Sequence, residues 1–189
     1  MGGAVLTSAL RQVRESDKVY IHPDYSEDTF FHDIALIRVL KPFQLNQAVD
    51  VARLPRTNID LKDVSVVRVD WIPYIARKRL RKNAFSLVVS KLKVKKCEVV
   101  GRVALMCADE SLGLECDALV GGALVYKHML LIGISTQYLG RDCSKSTSYE
   151  NIYKYLNWME KKISFRSGSN SRLLSSYFLL MVVFLIIKC

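Results

Sequence analysis

Residues 87–96 read Leu-Val-Val-Ser-Lys-Leu-Lys-Val-Lys-Lys, and this stretch constrains the fold more than any other in the chain. Side chains alternate from face to face along an extended strand. Lys91, Lys93 and Lys95 therefore share one face, and Leu92 and Val94 share the other. A strand with one solvated and one packed face belongs to an antiparallel sheet. Other stretches read the same way. Val19-Tyr20-Ile21 alternates and stops at the turn signal His22-Pro23. Residues 33–39 are a continuous apolar strand flanked by charge. Residues 64–71 place Val64, Val66, Val67, Val69 and Trp71 in another strand. Residues 123–126 and 130–135 form two more, joined by a turn at Lys127-His128. Between Pro42 and Pro55 the apolar residues keep no period, which predicts extended coil. Only from Ile152 does the period become helical: Ile152, Leu156, Met159 and Ile163 fall on one stripe, read as core packing.

A chain of 189 residues, half of them hydrophobic and 24% charged, has the composition of a globular protein and can bury a sizeable core. Its net charge of +10 would attract nucleic acid, acidic surfaces and anionic lipid. No zinc-finger, homeodomain or aromatic-basic pattern supports nucleic acid as a partner. The basic run Arg77-Lys78-Arg79-Leu80-Arg81-Lys82 reads as a solvated surface loop. Its functional alternative is a patch for heparin-like or lipid anions, or a nuclear signal. Five cysteines, at 97, 107, 116, 143 and 189, include no Cys-x-x-Cys pair, so neither a structural zinc site nor any other metal or cofactor is expected. The first four allow three pairings. Two disulfides would imply an oxidising compartment, and buried free thiols a cytosolic one.

The termini carry separate signals. Residues 1–10 are mildly apolar, but Arg11 and Arg14 follow the apolar part, which makes a poor secretory signal and suggests a start further upstream. Residues 164–176 read as a Ser-rich linker and 177–187 as an uninterrupted apolar tail, shorter than the roughly 20 residues of a membrane-spanning helix. Ser167-Gly168-Ser169, a polar spacer and a short greasy terminus fit a glycolipid-anchor signal, with a palmitoylated or short tail anchor as the alternative.

One ordered set of motifs resembles the trypsin/chymotrypsin-like serine proteases (peptidase S1). Cys116 to Val125, Cys-Asp-Ala-Leu-Val-Gly-Gly-Ala-Leu-Val, keeps the frame of the family's nucleophile loop, Cys-x-Gly-Asp-Ser-Gly-Gly-Pro-Leu-Val. Ile21-His22-Pro23-Asp24-Tyr25 and Asp33-Ile34-Ala35-Leu36-Ile37 resemble its His-Pro-x-Tyr and Asn-Asp-Ile-Ala-Leu-Leu segments. Tyr149, Ile152, Tyr155 and Trp158 fit its closing Tyr-x-x-Val-x-x-Tyr-x-x-Trp. The resemblance covers roughly residues 19–158. It implies an all-β, chymotrypsin-like double antiparallel β-barrel with a C-terminal helix, the N-terminal barrel being incomplete. The implied divisions are a partial N-terminal barrel over 1–55, a C-terminal barrel over 56–146, a strand end and helix over 147–163, the linker and the tail. It also implies the disulfides Cys97–Cys107 and Cys116–Cys143.

The same resemblance implies that catalysis is lost. A serine protease needs a nucleophile, a base that takes its proton and an acid that orients the base. Asp33 matches the orienting acid. Nothing upstream of it matches the family's base histidine; His22, His32 and His128 belong to other motif positions and read as surface imidazoles. Val120 stands at the nucleophile position, and a hydrocarbon cannot attack a carbonyl. Ala118 replaces the oxyanion-hole glycine, and Leu119 the aspartate that pairs with a new amino terminus. Leu114 falls on the pocket floor, and Gln137 crowds the wall where Ser135-Thr136-Gln137 stands for Ser-Trp-Gly. The implied protein is a non-catalytic homologue, extracellular or at the cell surface, that binds or regulates. The reading admits a protein partner such as an active protease, an anionic glycan or lipid surface, and membrane attachment through residues 177–187. The competing expectations are a fragment of a longer gene product, a basic glycan- or lipid-binding module, and a protease using displaced residues.

Overall fold

The computed structural model describes residues 12–47, 49–60, 62, 64–73, 85–95, 97, 105–109, 121–127, 129–136 and 146–164. Among them are eight strands and one helix: β1 (Ser16–Ile21), β2 (Ala35–Val39), β3 (Ser65–Pro73), β4 (Phe85–Lys95), β5 (Leu105–Asp109), β6 (Ala123–Tyr126), β7 (Leu130–Thr136), β8 (Ser146–Asn151) and α1 (Ile152–Ser164). Strands β3 to β8 close into an antiparallel barrel in the order β3-β4-β5-β8-β7-β6. Closure leaves those six strands without a free edge. β1 and β2 form a separate antiparallel pair, with Val19 opposite Ile37 and Ile21 opposite Ala35. This is the all-β, chymotrypsin-like architecture expected, with a complete second barrel and a smaller first lobe.

The alternation in β4 sorts its side chains as the sequence predicts. Leu92 and Val94 are buried in the barrel, while Lys91 and Lys93 are exposed. Lys95 reaches across to Asp109 on β5, with Nζ 2.6 Å from Oδ1. The coil between Pro42 and Pro55 is held against the barrel by its backbone. Arg53 N–H donates to the Met129 carbonyl at 2.9 Å, and Leu131 N–H to the Arg53 carbonyl at 2.8 Å.

In β3 the inward face differs from a simple reading of its valines. Val66, Arg68 and Asp70 point inward, and Val67 and Val69 are only half-buried. Arg68 is fully buried, and its Nη2 lies 3.2 Å from Asp70 Oδ2. Two opposite charges can occupy a barrel interior because each supplies the other's counter-charge.

Among the described residues there are two large apolar clusters and a small one of Val39, Phe43 and Val49. One of the large clusters fills the barrel and contains Val66, Leu92, Val94, Met106, Ala108, Leu124, Ile132 and Tyr149. The other lies between the barrel wall, β2 and α1, and contains Ile34, Leu36, Leu131, Ile134, Ile152, Tyr155 and Met159. The helix begins at a cap: Asn151 Oδ1 accepts the Tyr153 N–H at 3.0 Å. Lys161 and Lys162 sit in its last turn, where cations complement the helix dipole. Its apolar stripe docks as expected, with Ile152 and Met159 fully buried.

Candidate functional site

Two of the expected elements, Asp33 and the Gly121-Gly122 pair, meet at the end of β7. On one side is the loop after β1. His22-Pro23-Asp24-Tyr25 is a tight turn, closed by Tyr25 N–H donating to the His22 carbonyl at 3.0 Å. Proline at its second position presets the backbone. The chain then doubles back. Ser26 N–H donates to the Phe31 carbonyl and His22 N–H to the Ile34 carbonyl, both at 3.1 Å. Phe30 and His32 adopt left-handed φ values of 51° and 55°. Ile34 N–H donates to the His32 carbonyl at 2.7 Å, which puts Asp33 at the apex of a three-residue turn.

From that apex Asp33 bonds to the barrel twice. Its Oδ2 accepts the Thr136 hydroxyl at 2.8 Å, and its N–H donates to Glu150 Oε1 at 3.3 Å. Glu150, on β8, is buried, and its Oε2 accepts the Tyr155 hydroxyl at 2.6 Å. The Tyr155 oxygen lies 3.1 Å from His32 Nδ1. The one hydroxyl proton goes to Glu150, so His32 Nδ1 carries a hydrogen and donates. The His32 ring stacks on His22, with centroids 4.8 Å apart, and His22 also packs on Trp158 at 4.9 Å. The His22 side chain is 11% exposed. Burial lowers its pKa, the neighbouring His32 lowers it further, and Asp24 opposes both. Tyr25 is pushed upward by burial first, then by the charges of Asp33 and Glu27.

On the other side of β7 is the glycine pair. Gly121 has φ 104°, a conformation that suits glycine and few other residues. Its N–H donates to the Ser135 carbonyl at 3.0 Å, and Ser135 N–H returns to the Gly122 carbonyl at 2.9 Å. Gly122 N–H donates to Ser135 Oγ at 2.6 Å. A Cβ on Gly122 would stand 2.7 Å from Asp70 Oδ2, so the turn lies directly on the buried Arg68–Asp70 pair.

Asp33 and Gly121-Gly122 are thus brought to adjacent residues of one strand, Thr136 and Ser135. The hydroxyl on Asp33 is that of Thr136, while Ser135 serves the glycine turn. His22 and His32 are committed to Tyr155 and Trp158, and His22 is not the surface imidazole its motif position suggests. Cys97 and Cys107 form the expected disulfide, with Cα atoms 5.1 Å apart. Leu114, Cys116, Ala118, Leu119, Val120, Gln137 and Cys143 lie outside the described residues, as do His128, the basic run Arg77, Lys78, Arg79, Arg81 and Lys82, and the apolar tail. Among the described residues no three His, Cys, Asp or Glu side chains converge as a metal site requires, and no helix is long and apolar enough to cross a membrane. Sequence reasoning missed Glu150, the Tyr155 hydroxyl and the Arg68–Asp70 pair. An acidic residue between Tyr149 and the start of an amphipathic helix was the only local signal for the first.

A closed antiparallel barrel, a second sheet docked on its wall and a closing helix, with the acid and the glycine turn meeting between them, define a chymotrypsin-like protein. The Trypsin family model matches residues 2–159, and the chain belongs to that family. Among curated proteins it is similar to the clotting factor G beta subunit of Tachypleus tridentatus, 23% identical over 175 residues, which are 77% of this chain and 54% of that protein. The chain therefore spans about half the length of that relative. Among solved structures, an inactivated protease paralogue of the scabies mite superposes with a TM-score of 0.62 at 20% identity, covering 79% of this chain and 68% of that one. Mouse neuropsin, a serine protease, superposes with a TM-score of 0.63 at 23% identity, covering 80% and 72%. These structural likenesses concern the fold.

Proposed function

We propose that this chain is a trypsin-family homologue without proteolytic activity, acting outside the cell or at its surface by binding a protein partner. The observation that carries the reading is Val120, which precedes Gly121-Gly122 where the family's motif has its nucleophilic serine. No proton transfer to a base can turn a hydrocarbon side chain into a nucleophile. Two facts support the reading. Both described histidines are engaged by the terminal helix, and the mite paralogue with the same fold is itself described as inactivated. The Cys97–Cys107 disulfide suits an oxidising compartment. The test is exposure of purified full-length protein to a serine-directed phosphonate and to a panel of peptide substrates. The expected result is no mass increase and no release above blank; covalent labelling would overturn the reading.

A second reading, a basic module for anionic glycans, is favoured by Lys91 and Lys93, which stand exposed side by side on β4. Retention on a heparin column, lost in the Lys91→Glu/Lys93→Glu variant, is its signature.

A further inference from the structure

The stacked histidines sit where the first lobe meets the terminal helix, in an arrangement that the neutral form of His22 satisfies. His22 Nδ1 accepts the Asp24 N–H at 3.3 Å, so that nitrogen is unprotonated. His32 uses Nδ1–H to reach the Tyr155 oxygen. The two rings lie nearly parallel, 18° between planes and 4.8 Å between centroids. His22 is then closed over by α1, edge-on to Tyr155 at 5.3 Å and tilted on Trp158 at 4.9 Å. Tyr155 donates its hydroxyl hydrogen bond to buried Glu150, and Glu150 accepts the Asp33 amide. Asp33 closes the chain of contacts on Thr136. The left-handed backbone of Phe30 and His32 indicates that the loop is bent to deliver the rings to this place.

We propose that the His22–His32 stack is an acid-released latch: protonation on mild acidification lifts the loop of residues 22–33 from α1 while the barrel stays folded. Adding a proton at His22 Nδ1 ends its acceptance of the Asp24 amide. It also puts a cation against His32 and under Trp158, where water is largely excluded. Among the described residues, the following groups face the pair. Asp24, on the same loop, places a largely exposed carboxylate oxygen 4.0 Å from His22 Nδ1 and favours the cation. Tyr155 faces it from α1, and Glu150 on β8 stands behind Tyr155. Asp33 belongs to the loop itself and is turned to Thr136. The Asp24 carboxylate is solvent-screened, so burial and His32 dominate and the neutral state is preferred. The sign follows. A histidine whose folded pKa is lowered contributes stability that is fully present above its unfolded value of 6.5 and is lost as pH falls below it toward the folded pKa. Asp33 is freed with the loop, so the latch governs the geometry between the two lobes.

The test uses the two tryptophans as separate reporters on the full chain. In a Trp71→Phe variant, Trp158 emission is titrated from pH 8 to pH 5. A reversible red shift with its midpoint below 6.5 is expected. In a Trp158→Phe variant, Trp71 on β3 is expected to stay unchanged over that range. On the Trp71→Phe background, His22→Gln removes the Trp158 transition and His32→Gln moves its midpoint upward, since the neighbouring charge is gone. A flat Trp158 signal, a transition surviving His22→Gln, or simultaneous change at Trp71 would overturn the latch. Where a histidine variant fails to fold at pH 8, the imidazole titration of His22 in the wild-type protein decides by NMR: a midpoint at or above 6.5 refutes it.

Discussion

Replacing Asp70 with alanine removes the counter-charge of a guanidinium that has no exposure to solvent. An arginine side chain keeps its charge in proteins, so the barrel must hold a cation that has lost the Asp70 carboxylate. Removing one member of a buried pair costs about 3–5 kcal/mol. Single domains are stable by about 5–15 kcal/mol, so Asp70→Ala would consume much of the total. The companion variant, Arg68→Met/Asp70→Ala, removes both charges and leaves an apolar side chain of similar reach opposite Leu124 on β6. Exchanging a buried pair for apolar packing is commonly neutral or stabilising. Urea unfolding followed by circular dichroism, fitted for midpoint and slope, measures both. The expected pattern is a large loss in the single variant and recovery to within about 1.5 kcal/mol of wild type in the double, the usual tolerance for volume-conserving apolar exchange. A single variant that loses under about 1 kcal/mol refutes the reasoning, since that is the value of an exposed pair. So does a double variant as unstable as the single.

The remaining predictions concern neighbouring features. Gly122→Ala drives a methyl into Asp70 and is expected to lower stability by about 1–3 kcal/mol, read from the same unfolding curves; it should be neutral only in the Asp70→Ala background. Cys97→Ser/Cys107→Ser opens a loop of sequence separation 10 and should cost about 2.7 kcal/mol on the loop-entropy account, visible as a lower melting temperature under non-reducing conditions. Met159→Ala, at a fully buried position between α1 and the barrel wall, should cost about 2–5 kcal/mol. Asn151→Ala removes the cap of α1 and should cost about 1 kcal/mol, measured by thermal unfolding.

Much of the fold was legible where one physical rule decided the outcome. From Lys91 to Lys95 in β4, lysines and apolar residues alternate, so only one face could turn inward there. In α1 the stripe from Ile152 to Met159 left one docking face. Cys97–Cys107 was legible only through the family resemblance, because spacing alone leaves the pairing open. β3 was harder to read, since Val64, Val66, Val67 and Val69 place valines on both faces. The inward set, Val66, Arg68 and Asp70, is decided by barrel closure, a long-range property. The His22–His32 stack was illegible for the same reason. Each ring looks like a loop residue until Tyr155 and Trp158 arrive from the far end of the chain. Glu150 is buried because β8 is covered on both sides, by the barrel interior and by the first lobe.

The pairing of His32 with Tyr155 also sets an order of events on the ribosome. The two residues are 123 positions apart. At synthesis rates of about 5–20 residues per second, Tyr155 leaves the exit tunnel roughly 6–25 s after His32. β1 and β2 can pair early, being close in sequence, but the surface that Leu36 and Ile34 pack against includes Ile152, Tyr155 and Met159. The β1–β2 hairpin, made well before α1, is therefore among the last parts to be completed. Until α1 emerges, Ile34 and Leu36 lack the apolar surface of Ile152, Tyr155 and Met159 that covers them in the folded chain.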